Sequence, residues 1–261
     1  MDKRRNRQRK GADSKLRLVS LVSAIAGLIV WQLVGEFVVG NNLFLATPAS
    51  AIHAMASMSQ QGTLWTDVRV SGEEFIIGFL IASAAGIIVG IGMASAKSVA
   101  AVAQPWVSGF YATPIVALAP LLILWFGIGV VSKIAVVFSL VVFPVIINTE
   151  AGINPAGREL IEAAHAFGAT QSEVFKKVSI PAAAPYVLTG LRLGIGRGLI
   201  GVVVGELIGA NAGLGFLINN AAQVFNMPDL SVGLVIFAIA GIALTAGFKK
   251  LEQRIVHWQG V

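Results

Sequence analysis

The segment 162-EAAHAFGATQSEVFKKVSIP-181 decides how the rest of the chain is read, because it sets Glu162, His165, Glu173, Lys176 and Lys177 close together in an otherwise apolar sequence. The 261 residues are 56% hydrophobic and only 12% charged, with a mean hydropathy of +0.81. Soluble domains carry about a quarter charged residues. The composition therefore points to a membrane protein, and the polar segment needs a place outside the bilayer.

A hydrocarbon core about 30 Å thick takes about 20 mostly apolar helical residues to cross. Six stretches qualify: 18–39, 75–96, 106–126, 134–149 with its flanks, 187–208 and 230–248. The fourth is short and is expected to bend at Pro144, which leaves five or seven spans open. No stretch alternates apolar and polar residues as a transmembrane barrel strand would. The fold class is all-α and polytopic.

Lys and Arg concentrate in cytoplasmic loops beside membrane helices. With the N-terminus inside, only Arg69 and Lys133 of the 19 basic residues fall outside, while Arg192 and Arg197 lie in the inner half of the fifth span. Both termini are thus expected in the cytoplasm. Residues 1–17 form a basic tail, 40–66 an outer segment, 67–250 a core with a cytoplasmic loop at 150–185, and 251–261 a second tail. The +6 net charge and the KRRNRQRK run suit an orienting tail against anionic lipid better than nucleic acid. The first apolar run is longer than a signal-peptide core, so it reads as a retained anchor. There is no cysteine, hence no disulfide or thiolate site.

Several features organise the spans. Thr47 and Pro48 form an N-cap followed by a first-turn proline, predicting a short outer helix. Pro114 and Pro120 interrupt the third span. Such breaks persist in membranes only where protein or a water-filled cavity satisfies the freed carbonyls, so this helix either lines a pore or is merely bent. Gly194, Gly198, Gly201 and Gly205 make a smooth ridge on the fifth span for another helix, of this chain or of a second copy. GANAGLGFLINNAAQVF then reads as an outer turn and a short or re-entrant helix. The halves show no inverted repeat.

The polar segment is built to fold in the cytoplasm. Asn154 and Pro155 start a helix with Leu160, Ile161, Ala164 and Phe167 on its apolar face, and Gly168 ends it. Thr170 and Glu173 have capping-box spacing and open a second helix, which Pro181 is expected to stop. Two amphipathic helices with a bend at Gly168 make a knob for a partner protein.

This pattern resembles the EAA motif of bacterial ABC importer permeases, carried here by Glu162, Ala163, Ala164, Gly168, Val178, Ile180 and Pro181. Val178 and Ile180 stand where the motif usually has Ile and Leu. APLLILWFGIG (119–129), FPVIINTEAGI (143–153), PYVLTGLRLGIGRG (185–198) and GELIGANAGLGFLI (205–218) are similar to the permeases of nitrate, sulfonate, taurine and bicarbonate importers. The resemblance implies a type I permease fold, a bacterial inner-membrane location and a second copy of the chain. It also implies two ATPase subunits gripping the EAA segment, and a periplasmic or lipid-anchored solute-binding protein. The solute implied is a small organic or inorganic anion. Glu74 in SGEEFIIGF replaces the family's usual Arg, and Thr245 stands where Asp is common; both bear on docking and substrate selection.

The remaining chemistry is sparse. GIGVVSK at 127–133 lacks the second glycine and the Ser/Thr of a phosphate-binding loop, so ATP hydrolysis belongs on a partner. His53, His165 and His257 are too scattered for a metal site or a triad. No cofactor or catalytic residue is expected. Glu206 near the outer end of the fifth span is a candidate gate, interface partner or interfacial residue. Arg197 and Arg192 either meet headgroups or line an inner pore wall, and Glu36 is read as interfacial. A secondary transporter would need intramembrane coupling carboxylates, which the chain mostly lacks. An intramembrane enzyme would need paired catalytic groups within spans, and none occur.

Overall fold

The computed structural model describes the backbone of residues 2–153 and 158–256, and the side chains of 18–153 and 161–256. The Asn154–Pro155 helix start and His257 lie outside these residues. Every regular element described is helical. Helix α1 (Asp2–Leu33) ends in a wide π turn at Val34–Val39, closed by Gly40. Helix α2 (Pro48–Gln61) opens as its sequence dictates, with the Thr47 hydroxyl accepting from the Ser50 N–H at 3.2 Å. Gly62, at φ 78°, turns the chain into α3 (Thr63–Ser95). Then follow α4 (Lys97–Ala112), a 3-10 turn at Ile115–Leu118, α5 (Ala119–Phe126) and α6 (Val130–Ile153). The polar segment supplies α7 (Arg158–Ala166) and α8 (Gln171–Val174). A long α9 (Ile180–Gly209), a short α10 (Leu214–Gln223) and α11 (Met227–Ile255) complete the chain.

Five of these helices are long and apolar enough to cross a membrane, and six spans result if the bent pair Lys97–Ala112 and Ile115–Phe126 counts as one. Three expectations change in detail. The third span is not one kinked helix: its halves meet at 88°. Pro114 forces Thr113 into an extended conformation (φ −74°, ψ 138°), which ends α4. Pro120 makes no kink, because it lies in the first turn of α5, where its missing N–H would be unpaired anyway. The fourth span is not short. Helix α6 has 24 residues and runs continuously through Pro144. Pro181 does not stop its helix either. A π turn at Phe175–Ser179 widens the preceding backbone and carries it straight into α9, with Pro181 in the first turn.

The core is α6 held between α3 and α9. Val136, Val137, Val141 and Val145 of α6 are wholly buried. They fit because the flanking helices present glycine. A Cβ on Gly78 would lie 2.8 Å from Val137 Cβ, and one on Gly86 would lie 2.9 Å from the Val142 carbonyl. On the other side, a Cβ on Gly201 would sit 2.9 Å from Val137 Cα, and one on Gly194 3.0 Å from Val141 Cγ1. Gly198 meets the Phe75 ring and Gly205 meets Lys133. The ridge on α9 therefore packs against helices of its own chain. The α3 ridge of Gly78, Ala82, Gly86 and Gly90, four residues apart, is a second one that sequence reading passed over. A smaller cluster at the end opposite the polar segment joins Met58, Leu64, Leu214, Leu217 and Val232. Helix α1 stands apart, with only 6% of its apolar window buried.

Gly201→Leu should therefore destabilise the chain itself by about 1–3 kcal/mol or more through overpacking. Gly196→Ala should be neutral, since nothing lies within 4 Å of a Cβ there. Thermal unfolding of the two purified variants checks this, and equal melting temperatures would contradict the packing.

Candidate functional site

The polar segment folds as an elbow. Helix α7 closes at Gly168, whose φ of 80° favours glycine although the space around its Cβ position is open. The N–H groups of Gly168 and Ala169 return to the carbonyls of His165 (2.9 Å) and Ala164 (3.0 Å). The next turn carries a complete capping box. The Thr170 hydroxyl accepts from the Glu173 N–H at 3.3 Å, and the Glu173 carboxylate accepts from the Thr170 N–H at 3.1 Å. Lys177 pairs with the other Glu173 oxygen at 3.0 Å. Val174 and Ser179 are buried and root the elbow on the body.

Its outer surface is open. Glu162, Ala163, Gly168, Ile180 and Pro181 are exposed, while Ala164 and Val178 are half-buried. Phe167, on the apolar face expected of its helix, is 93% exposed among the described residues, where α7 ends. A shallow cleft of about 400 Å³ runs between Phe167 and Gly168 on one side and Val174, Lys177 and Val178 on the other. An aromatic ring left bare beside a cleft is the feature that sequence reading missed here.

The charged groups of the spans separate into three places. Arg192 on α9 forms an ion pair with Glu252 on α11. Arg197, deeper in α9, lies over the Tyr111 ring with its guanidinium carbon 4.9 Å from the centroid, and Nη2 donates to the Tyr111 hydroxyl at 3.1 Å. Tyr111 stands two residues before the Thr113 break, next to Pro114. These two helices thus meet where the third span is interrupted.

The third place is the end opposite the elbow. Glu206, expected as a gate, interface partner or interfacial residue, is 1% exposed and enclosed by its own chain. One oxygen accepts from the Ser71 hydroxyl at 2.6 Å and the other from the Gly215 N–H at 2.5 Å. Ser71 Oγ also accepts from the Leu214 N–H (2.8 Å), and Asp67 accepts from the Gly213 N–H (2.8 Å). Three successive N–H groups at the start of α10 are thereby capped by side chains of α3 and α9, as an unpaired helix N-terminus requires. Asp67, Ser71 and Glu74 share one face of α3. Glu74 is 2% exposed and reaches Glu206, with Lys133 in electrostatic range. Its place is interior, which removes it from a docking surface. Among the described residues no group of acidic or histidine side chains could hold a metal ion.

This architecture matches known proteins. The family model for the binding-protein-dependent transport system inner membrane component aligns with residues 82–256, which include α6, the elbow, α9 and the capped α10. The chain belongs to this family. It is 31% identical over 238 residues to the taurine transport system permease protein of Escherichia coli, covering 89% of this chain and 86% of that protein. It is 33% identical over 233 residues to the riboflavin transport system permease protein of Chloroflexus aurantiacus, covering 89% and 87%. An amino acid ABC transporter of known crystal structure superposes with a TM-score of 0.60 at 18% identity, over 76% of this chain and 95% of that one. The fold is that of a type I ABC importer permease. The chain is an inner-membrane permease subunit of an ABC importer.

In this permease, Gly213 and Gly215 are dictated by the carboxylate above them. A Cβ on Gly213 would overlap the Glu206 carboxyl, and one on Gly215 would lie 2.8 Å from Glu206 Cβ. Gly213→Ala should loosen α10 from α3 and α9 and lower the melting temperature by several degrees. Gly247→Ala, with nothing within 4 Å, should not. Faster amide hydrogen exchange at 213–218 in the first variant alone is the expected result, and unchanged exchange would contradict the cap.

Proposed function

We propose that this permease works as a homodimer with two ATPase subunits and a periplasmic or lipid-anchored solute-binding protein, with both of its termini in the cytoplasm. The observation that carries the coupling part is the elbow, a rigidly capped projection with a bare Phe167 and exposed Glu162 and Ala163. Exposed aromatic rings of this kind anchor interfaces. The elbow inserts into a groove on the ATPase, and its π turn makes it continuous with α9. Closure of the ATPase pair on ATP then pushes directly on a membrane helix, and hydrolysis allows its return. The drive comes from partners binding one conformation more tightly than the other. The taurine permease among the relatives favours a small sulfonate or similar anion as solute.

Gly168→Asp should place an unpaired charge and a disfavoured backbone conformation in the docked elbow. We expect normal membrane insertion but retention of the ATPase weakened about tenfold or more, equivalent to about 1.4 kcal/mol. Stimulation of hydrolysis by the loaded binding protein should fall with it. Phe167→Ala should weaken retention without altering the fold. Full retention and stimulation in both variants would overturn the coupling role and return the segment to an amphipathic loop on the inner leaflet.

A further inference from the structure

Arg197 poses a problem that the packing of this chain does not solve. It lies about 18 Å from the outer end of α9 and about 25 Å from the inner end, at 1.5 Å per residue. Half the hydrocarbon core is about 15 Å, so a bilayer centred on this helix sets Arg197 near its middle. Yet the face of α9 around it is open. Leu193 and Ile200, four residues before and three after, are 52% and 53% exposed, and Gly196 is exposed as well. A guanidinium on a lipid-facing surface at this depth is costly, so such residues face a water-filled path or a partner group.

Among the described residues no carboxylate pairs with Arg197. Glu74 and Glu206 are enclosed together beside the start of α10, and Glu252 is committed to Arg192. Among the described residues Arg197 makes one hydrogen bond, to the Tyr111 hydroxyl, which uses a single donor of its fork. Because the Tyr111 oxygen accepts that bond, its own O–H remains available to donate. The ring beneath the guanidinium fixes the plane of the fork. The arrangement places N–H and O–H donors side by side, beside a helix break of the type tolerated around a cavity.

We propose that Arg197 and Tyr111 form an oxyanion-binding site on the solute path, which holds the sulfonate, carboxylate or comparable head group of the transported molecule during passage. The site rests on the reading of the chain as a solute-conducting permease, and it goes further by naming the contact and the chemistry. A guanidinium fork matches an oxyanion through two parallel hydrogen bonds, whereas lysine would offer only a point charge. The relatives do not supply this assignment, since one is named for taurine and another for riboflavin.

The absence of cysteine allows a direct test. Ile200→Cys is introduced into the permease and assembled with its ATPase subunits in lipid nanodiscs. Its labelling rates with 2-sulfonatoethyl methanethiosulfonate and with the cationic trimethylammonioethyl analogue are each normalised to a free thiol in solution. With Arg197 present, the anionic reagent should react about tenfold faster, as expected for one unit charge nearby in a partly hydrated site. Excess inorganic sulfate should slow it. In Arg197→Gln the preference and the sulfate effect should both vanish, and in Tyr111→Phe they should weaken. Leu193→Cys on the same face repeats the measurement should Ile200→Cys fail to assemble. A preference unaffected by Arg197→Gln, or a thiol that neither reagent reaches, would overturn the site. Uptake of radiolabelled taurine by the wild-type complex reports separately on the importer reading. A preference retained without taurine uptake would support the site while excluding taurine as the solute.

Discussion

The structure depends on how closely α6 approaches its two neighbours. Lipid tails are as apolar as valine, so helices in a membrane gain little from burying hydrophobic surface and rely instead on close van der Waals contact. Gly78, Gly86 and Gly90 of α3, with Gly190, Gly194 and Gly201 of α9, bring these backbones against α6 at distances that no side chain would permit. The valines of α6 fill the space left by the missing Cβ atoms. The three helices form one unit, and the rest of the chain is attached to it.

The attachments differ at the two ends. At one end, Asp67, Ser71 and Glu206 hold the start of α10 by its backbone, joining that helix to α3 and α9. At the other, the elbow enters α9 through a π turn, so that a push on the elbow is delivered along the same helix. Between them, Arg197 of α9 bonds Tyr111 on the broken span. One helix thus carries a handle, a central charge and a clamp. In the proposed mechanism this arrangement is the physical route from the ATPase to the solute.

Much of this was legible in the sequence, for identifiable reasons. Hydropathy marks spans strongly, and the Thr170 and Glu173 spacing announced its capping box. The four prolines were misjudged because their effect depends on position within a turn. Pro120 and Pro181 start helices, Pro114 ends one, and Pro144 is accommodated within α6. Glu206 was taken for an exposed group because its partners are mostly remote in sequence. Ser71 lies 135 residues away, although the polar spacing of Asp67, Ser71 and Glu74 on one face of an apolar helix was a readable signal. Phe167 was read as part of an apolar helix face, and periodicity alone does not reveal that its ring is left 93% exposed among the described residues.

The central claim is that α3, α6 and α9 move as one body when the elbow is driven. Spin labels at Ile88→Cys on α3 and Ile200→Cys on α9, both at exposed positions, measure it directly. The labelled chain is diluted with excess unlabelled chain to isolate the distance within one copy. The account predicts that pulsed electron resonance gives the same distance in the nucleotide-free and ATP-trapped complexes, within the roughly 1–2 Å of ordinary helix shifts. A change well beyond that range would show that α9 slides against α6, and would contradict the glycine-sealed unit on which the mechanism rests.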